Sequence, residues 1–332
     1  MLEKENSMPK ILVTGGAGYI GSHTTLALCE AGYEVVVYDN LSTGKAEAVL
    51  PPARLVVGDL AQTEALDRLM TKEKFSAVLH FAGSIVVPES VENPLKYYMN
   101  NTNNTTELIR LAVKNAIPRF VFSSTAAVYG MPDTAAVTED SPTKPINPYG
   151  RTKLMSEWVI EDTAAAHADF SFVILRYFNV AGADPKGRIG QSTPDATHLI
   201  KVASQAALGR RDALHIFGTD YDTPDGTCIR DYIHVSDLAA AHVLALGHLE
   251  AGNPAGIFNC GYGHGYSVRD IVSAVKEASG VDFPVIESPR RAGDPPALIS
   301  DPTRIRATMN WKPAHDDIHA IALSAYRWEM RL

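Results

Sequence analysis

The stretch Thr14-Gly15-Gly16-Ala17-Gly18-Tyr19-Ile20-Gly21 constrains the fold of this chain more than any other. A short apolar run, Ile11-Leu12-Val13, precedes it and a helical pattern follows to about Ala31, so it reads as strand, glycine loop, helix. Gly15, Gly18 and Gly21 let the backbone turn sharply and approach a pyrophosphate, whose charge faces the amides of the helix N-terminus. Glycine-rich turns are common, so the context has to give this one its meaning. Gly32 stops the helix, Glu34 to Tyr38 reads as a second buried strand, and Asp39 closes it. A carboxylate about 20 residues beyond the loop accepts ribose hydroxyls and repels a 2′-phosphate, which favours NAD over NADP. The plain alternative is an Asp that only ends a strand.

The alternation continues. Leu55 to Val57 reads as a strand into Gly58-Asp59, Ala61 to Thr71 as a helix, and Ala77 to Phe81 as a strand into Ala82-Gly83. Strands alternating with helices predict a parallel sheet, whose ligands bind beyond the strand C-termini. His80 lies inside an apolar strand and reads as a core histidine; no ligand set stands at a metal-binding spacing. Pro94 opens a helical segment to about Asn115, and its polar run Asn100-Asn101-Thr102-Asn103-Asn104 suggests that Asn100 lines the cofactor groove. Arg119 to Phe122 is a further strand, emptying into Ser123-Ser124-Thr125. Pro132, Pro142, Pro145 and Pro148 mark residues 130–148 as a loop over the site.

That loop ends at Asn147-Pro148-Tyr149-Gly150-Arg151-Thr152-Lys153. Pro148 suits a helix threshold, and a helix from there to about Ala165 puts Tyr149 and Lys153 on one face. A neighbouring ammonium stabilises a phenolate, which can take a proton from an alcohol. An isolated Tyr-x-x-x-Lys more often decorates an amphipathic helix, so the surrounding motifs decide.

Composition narrows the class. A chain of 332 residues with 45% hydrophobic content can bury a core of one large α/β domain or two packed ones. Its net charge of −8 argues against a general nucleic-acid surface. Cys29, Cys228 and Cys260 form no C-x-x-C pair, which predicts neither disulfides nor zinc and suits a reducing cytoplasm. Met1 to Lys10 lack the apolar core of a signal peptide, and no run approaches a membrane span, so a soluble, unexported protein is expected.

Thr14-Gly15-x-x-Gly18-x-x-Gly21, Asp39-Asn40, Phe81-Ala82-Gly83, Ser123-Ser124-Thr125 and Tyr149-x-x-x-Lys153 together resemble the extended short-chain dehydrogenase/reductases. Arg176-Tyr177-Phe178-Asn179-Val180-Ala181-Gly182, Gly209-Arg210-Arg211-Asp212, Ile216-Phe217-Gly218, Arg230-Asp231-Tyr232-Ile233-His234-Val235 and Arg290-Arg291-Ala292-Gly293-Asp294 are similar to the UDP-glucose 4-epimerase branch. The resemblance runs from about Lys10 to Trp311. It implies an α/β fold: a Rossmann-like, doubly wound parallel sheet mainly in residues 9–180, and a smaller C-terminal UDP-sugar-binding lobe mainly in 181–332, with chain crossings between them. It also implies tightly bound NAD, a UDP-sugar substrate epimerised at C4 by transient oxidation, and a homodimer of paired helices.

Residue roles follow from the resemblance. Tyr149 is the implied acid/base, Lys153 lowers its pKa and holds the nicotinamide ribose, and Thr125, with Ser124 beside it, bonds the sugar hydroxyl. Gly15, Gly18, Tyr19, Ile20, Gly21, Asp39, Asn40, Asp59, Leu60, Phe81, Ala82, Gly83, Asn100 and Tyr177 join Tyr149 and Lys153 around NAD. Asn179, Leu199, Phe217, Arg230, Arg291, Asp294 and Leu298 join Thr125 and Tyr149 around the UDP-sugar. Guanidinium forks suit a diphosphate, although Arg230 and Arg291 also read as ordinary surface arginines.

Rival readings remain at this level. Sugar-nucleotide 4,6-dehydratases carry an Asp-Glu pair after the active-site Thr, where this chain has Ala126-Ala127. Epimerases of UDP-N-acetylhexosamines, UDP-pentoses or UDP-uronates use the same catalytic set. Leu298 stands where some members place a Tyr that crowds C2, Ile85 where some place a Lys, and His198 where some place an Asn. Leu298 either leaves room for an N-acetyl group or fills the same space. A non-catalytic NAD-binding regulator is the reading of another class; such proteins typically lose the Tyr or the Lys.

Overall fold

The computed structural model describes residues 8–193, 196–291 and 293–332. The charged start before Met8 and Ala292 of the Arg290–Asp294 motif lie outside the described residues.

Seven parallel strands form the main sheet: β1 (Lys10–Thr14), β2 (Glu34–Asp39), β3 (Arg54–Val57), β4 (Ala77–His80), β5 (Arg119–Thr125), β6 (Ser171–Tyr177) and β7 (Gly256–Cys260). Their order is β7-β6-β5-β4-β1-β2-β3, a doubly wound arrangement with its switch point between β1 and β4. Both faces are covered, which is why the strands read as continuous apolar runs: Ile11, Val13, Val35 and Val37 pack on one side, and Leu12, Val36 and Val78 on the other. At about 25 cal/mol per Å² of apolar surface, this two-sided burial is the main favourable contribution to the fold. The sheet does not end with the N-terminal half. Residues 235–260 return to it, the helix Val235–Glu250 packing beside the first helix, Tyr19–Glu30, and β7 pairing with β6.

Several expected boundaries shift for local reasons. The first helix ends at Glu30, and Gly32 at φ 91° turns the chain. The helix expected from Ala61 begins at Thr63, because the Asp59 carboxylate and carbonyl hold Ala61 and Gln62 in a turn at 2.8 and 2.9 Å. Ser123, Ser124 and Thr125 are the last residues of β5 rather than a loop after it. The loop 130–148 contains a two-residue strand, Ala136–Val137, paired with Ala297–Ser300.

The segment from Pro94 is helical, but in three pieces: Pro94–Tyr97, a π-helical stretch Tyr98–Asn103, and Asn104–Lys114. A helix at Val87–Glu92, not expected from the sequence, precedes them. Among the described residues no helix is long and apolar enough to cross a membrane.

Candidate active site

The ends of six strands line one edge of the sheet, and the expected cofactor residues lie along it. Gly15 to Gly21 follow β1, Asn40 follows β2, Asp59 and Leu60 follow β3, Phe81 to Gly83 follow β4, Thr125 ends β5, and Tyr177 ends β6. Gly15 has φ 74°, and a Cβ there would lie 2.4 Å from the Ala82 amide nitrogen. A Cβ on Gly21 would lie 2.2 Å from the Gly15 carbonyl oxygen. The cradle is therefore open only because these positions lack side chains.

The helix Tyr19–Glu30 starts at the cradle with no acidic residue in its first turn, leaving its amides and dipole for an anion. Asp39 accepts the amides of Ala17 at 3.0 Å and Leu41 at 2.8 Å, which fixes it at the lip while carboxylate lone pairs remain for ribose hydroxyls. Asn40 donates to Asp59 at 2.7 Å. Ile20 and Phe81 are half-buried and Leu60 is buried. These residues fit NAD.

Not every side chain expected at the cofactor faces it. The Tyr19 hydroxyl donates to the Gly182 carbonyl at 2.6 Å, tying the glycine loop to the chain beyond β6. Asn100 donates to Ser84 at 2.9 Å. Its neighbour Asn101 does more: it accepts from the Ser84 amide at 2.7 Å and donates to Thr152 at 3.1 Å, joining the turn after Gly83 to the Tyr149 helix. The π-helical turn accommodates this buried asparagine, a type of irregularity frequent at functional sites. Four asparagines within five residues carry no sequence signal for which of them turns inward.

The helix Pro148–Ala166 starts as expected, with Pro148 in its first turn and the Asn147 side chain accepting the Gly150 amide at 2.8 Å. Tyr149 and Lys153 lie on one face and both are buried. The Thr125 hydroxyl lies beside the Tyr149 phenol and favours its ionised form. Lys153 donates to the Ser123 carbonyl at 3.0 Å and lies over the Phe122 ring, 4.7 Å from its centroid.

The electrostatics correct one expectation. Burial raises the Tyr149 pKa, and Thr125, rather than Lys153, is the group that opposes the rise. Lys153 is itself pushed down to about 8 by burial, with Glu157 working against the shift. The chain alone therefore holds a neutral phenol beside an amine whose charge is lost as pH rises through about 8.

Strand alternation corrects another. Ser124 points to the opposite side of β5 from Thr125 and donates to the buried Glu157 carboxylate, so it does not join Thr125 as a second hydroxyl. Ser123 shares the face of Thr125, and its hydroxyl bonds the Tyr177 phenol. The period of two was the signal that would have found Ser123.

Further on, the register carries the site outward: Thr125 pairs with Tyr177, Asn179 with Tyr232, and Arg230 with Leu298. Asn179, His198, Leu199 and Tyr232 line an open cleft. Arg291 stacks on Phe217, its guanidinium 3.8 Å from the ring centroid. Arg230 donates to the Ile229 and Pro295 carbonyls at 2.8 Å each and pairs with Asp294 at 3.5 Å. Leu298 is buried against Ala126, Val128, Tyr129 and Phe178. Ile85 is exposed, and His198 bonds Gln191 at 2.7 Å. His80 bonds Thr14 and Thr105 inside the core, at 2.7 and 2.8 Å.

Fold and site define a nicotinamide-dependent protein of the Rossmann class. The chain belongs to the NAD dependent epimerase/dehydratase family, whose model matches residues 11–261. The UDP-glucose 4-epimerase of Azospirillum brasilense is 57% identical over 332 residues, covering 100% of this chain and 95% of that protein. The crystal structure of UDP-glucose 4-epimerase from Brucella ovis in complex with NAD superposes with a TM-score of 0.93 at 45% identity, covering 97% of this chain and 98% of that one. The UDP-Glc/GlcNAc 4-epimerase of Campylobacter jejuni is similar at TM-score 0.87 and 52% identity, over 98% and 100% of the two chains.

Proposed function

We propose that this chain is a UDP-glucose 4-epimerase that interconverts UDP-galactose and UDP-glucose with tightly bound NAD. The observation that carries the reading is the buried Tyr149 phenol, beside the Thr125 hydroxyl and sharing a helix face with Lys153 at the sheet edge beside the glycine cradle. Relatives and neighbouring structures with that activity, one of them in complex with NAD, support it.

NAD held along the glycine loop, Asp39 and the ends of β3 to β6 supplies a reversible two-electron oxidation at sugar C4. Tyr149 takes the proton of the C4 hydroxyl as the carbonyl forms, and Thr125 orients that oxygen. The burial that makes the phenol a weak acid in the chain alone has to be offset in the loaded site by positive charge, and Lys153 is the resident cation. The 4-keto sugar then turns over while Arg230, Arg291 and Phe217 keep the nucleotide end anchored. Tyr149 returns the proton after reduction from the opposite face. The cycle has no net redox change, so the protein has no need to exchange its cofactor.

Arg291→Ala is expected to raise the KM for UDP-galactose about 10- to 100-fold at nearly unchanged kcat, as befits one charge-assisted contact worth about 1.5–3 kcal/mol. Titrating initial rates with substrate checks it, and an unchanged KM removes Arg291 from the substrate site.

We assign residues 9–180 mainly to the NAD-binding lobe and 181–332 mainly to the UDP-sugar lobe, with 235–260 crossing back to the sheet. A homodimer is supported by exposed apolar side chains on adjoining helices, Val87, Val91, Leu95 and Met99, together with Trp158 on the Tyr149 helix. Free Cys29, Cys228 and Cys260 support a reducing compartment, the cytoplasm.

Substrate range turns on Leu298. Incubation with UDP-galactose and, separately, UDP-N-acetylgalactosamine, followed by NMR of the anomeric protons, tests it. Conversion of both makes Leu298 permissive, and conversion of the first alone means that it closes the pocket. Conversion of neither contradicts the proposed function.

A further inference from the structure

The helix that carries Tyr149 and Lys153 presents a third side chain one turn further along the same face, Glu157, which is fully buried. Its carboxylate accepts from two side chains. Arg176 donates to it through Nε at 3.1 and 3.2 Å and through Nη2 at 2.6 Å, and the Ser124 hydroxyl donates as well. Ser124 and Arg176 are register partners on β5 and β6, so one carboxylate pins two neighbouring strands to the helix.

The three contacts form a ladder. Thr125 meets Tyr149, the Ser123 carbonyl meets Lys153, and Ser124, between them in sequence, meets Glu157. Arg176 extends the anchor, donating to the Tyr129 hydroxyl at 3.1 Å, which donates in turn to Asn259 on β7 at 2.6 Å. A buried ion pair costs desolvation and is weak evidence for stability alone, so its place beside the reacting groups asks for another reason.

We propose that Glu157 is a positioning residue for the 4-epimerase reaction: through Ser124 and Arg176 it fixes the end of β5 against Lys153 and Tyr149, and its charge supports the Lys153 ammonium. The inference rests on the functional reading above. Burial alone drives Lys153 toward the neutral amine, and Glu157 is the charge that resists. The other titratable groups near Lys153 are Tyr149 on its own helix and His80 from β4, which burial holds neutral, with Tyr177 from β6 facing Tyr149. Arg176, whose charge would oppose the ammonium, is matched by the same carboxylate.

The test uses holoenzyme labelled with ε-¹³C lysine, in which the Lys153 amine is titrated by NMR, together with the pH profile of UDP-galactose turnover. In Glu157→Gln the Lys153 titration and the alkaline limb of kcat both move down in pH by about 1, a tenfold loss of the charged form above the new midpoint. KM for UDP-galactose stays within about twofold, because substrate contacts are untouched. Glu157→Gln leaves a buried guanidinium unpaired and can fail to fold, so Glu157→Met/Arg176→Met is the second variant; apolar replacement of a buried pair is often tolerated. It lacks the supporting carboxylate and the opposing guanidinium together, so the downward movement is expected in the same direction but smaller than in Glu157→Gln. Ser124→Ala keeps the ion pair and lowers kcat several-fold at unchanged KM.

A folded Glu157→Met/Arg176→Met protein with the parent's Lys153 titration and kcat profile overturns the inference. Parent behaviour in Ser124→Ala overturns the part that runs through β5. A parent protein that converts no UDP-sugar contradicts the functional reading instead, and the Lys153 titration still decides whether Glu157 supports the ammonium.

Discussion

Tyr149→Phe is expected to purify folded and with NAD bound, yet to turn over UDP-galactose about 10²–10⁴-fold more slowly, the range that general acid-base assistance supplies. In free energy that is about 3–5 kcal/mol of lost transition-state stabilisation. The substitution removes one oxygen from a buried ring and little else. Thr125 keeps its place, since it still accepts the Ala127 amide at 3.1 Å. The loss therefore falls on kcat rather than on folding, and KM changes little. Single-turnover and steady-state rates beside the NAD content of the purified protein check all three. Near-parent turnover would remove Tyr149 from the proton transfer.

Gly21→Ala is expected to abolish cofactor retention. Its Cβ would lie 2.2 Å from the Gly15 carbonyl oxygen and 2.9 Å from the Gly16 Cα, all backbone, with no side chain free to swing away. Gly15 cannot yield, because it is already wedged at φ 74° against Ala82 and Phe81. The displaced loop loses its fit to a pyrophosphate, and overpacking of this kind costs about 1–3 kcal/mol of stability. The protein should purify with NAD reduced at least about tenfold, and a lower Tm, measured by cofactor release and thermal denaturation. Gly247→Ala is the control: it lies in the helix Val235–Glu250 with nothing within 4 Å of the added methyl, and should gain about 0.5–1 kcal/mol. A Gly21→Ala protein with a full complement of NAD would contradict the assignment of the loop.

The parts of this molecule most legible in its sequence are those governed by local rules. Gly15 to Gly21 between a strand and a helix, Asp39 at the next strand end, and the i, i+4 spacing of Tyr149 and Lys153 each follow from backbone geometry within a few residues. What remained hidden depends on partners distant in sequence. Whether Ser123 or Ser124 faces the site is set by which side of β5 the helix with Glu157 covers. Asn101 rather than Asn100 is drawn inward because Ser84 and Thr152 lie there. The seventh strand, Gly256–Cys260, carries no mark of its place beside β6. Lys153 lowering the Tyr149 pKa was the chemical expectation, but the expense of burying both groups outweighs it in the chain alone. Charge from bound ligands enters that balance, and no spacing rule contains it.

In the proposed cycle one chain oxidises and re-reduces C4 of a UDP-sugar without releasing either cofactor or intermediate. Incubating the purified protein with UDP-galactose deuterated at C4, with no NAD added, tests it most directly by NMR and mass spectrometry of the product. The expected product is UDP-glucose with the deuterium still at C4. No conversion, or UDP-glucose whose C4 label has been lost to solvent, would contradict it.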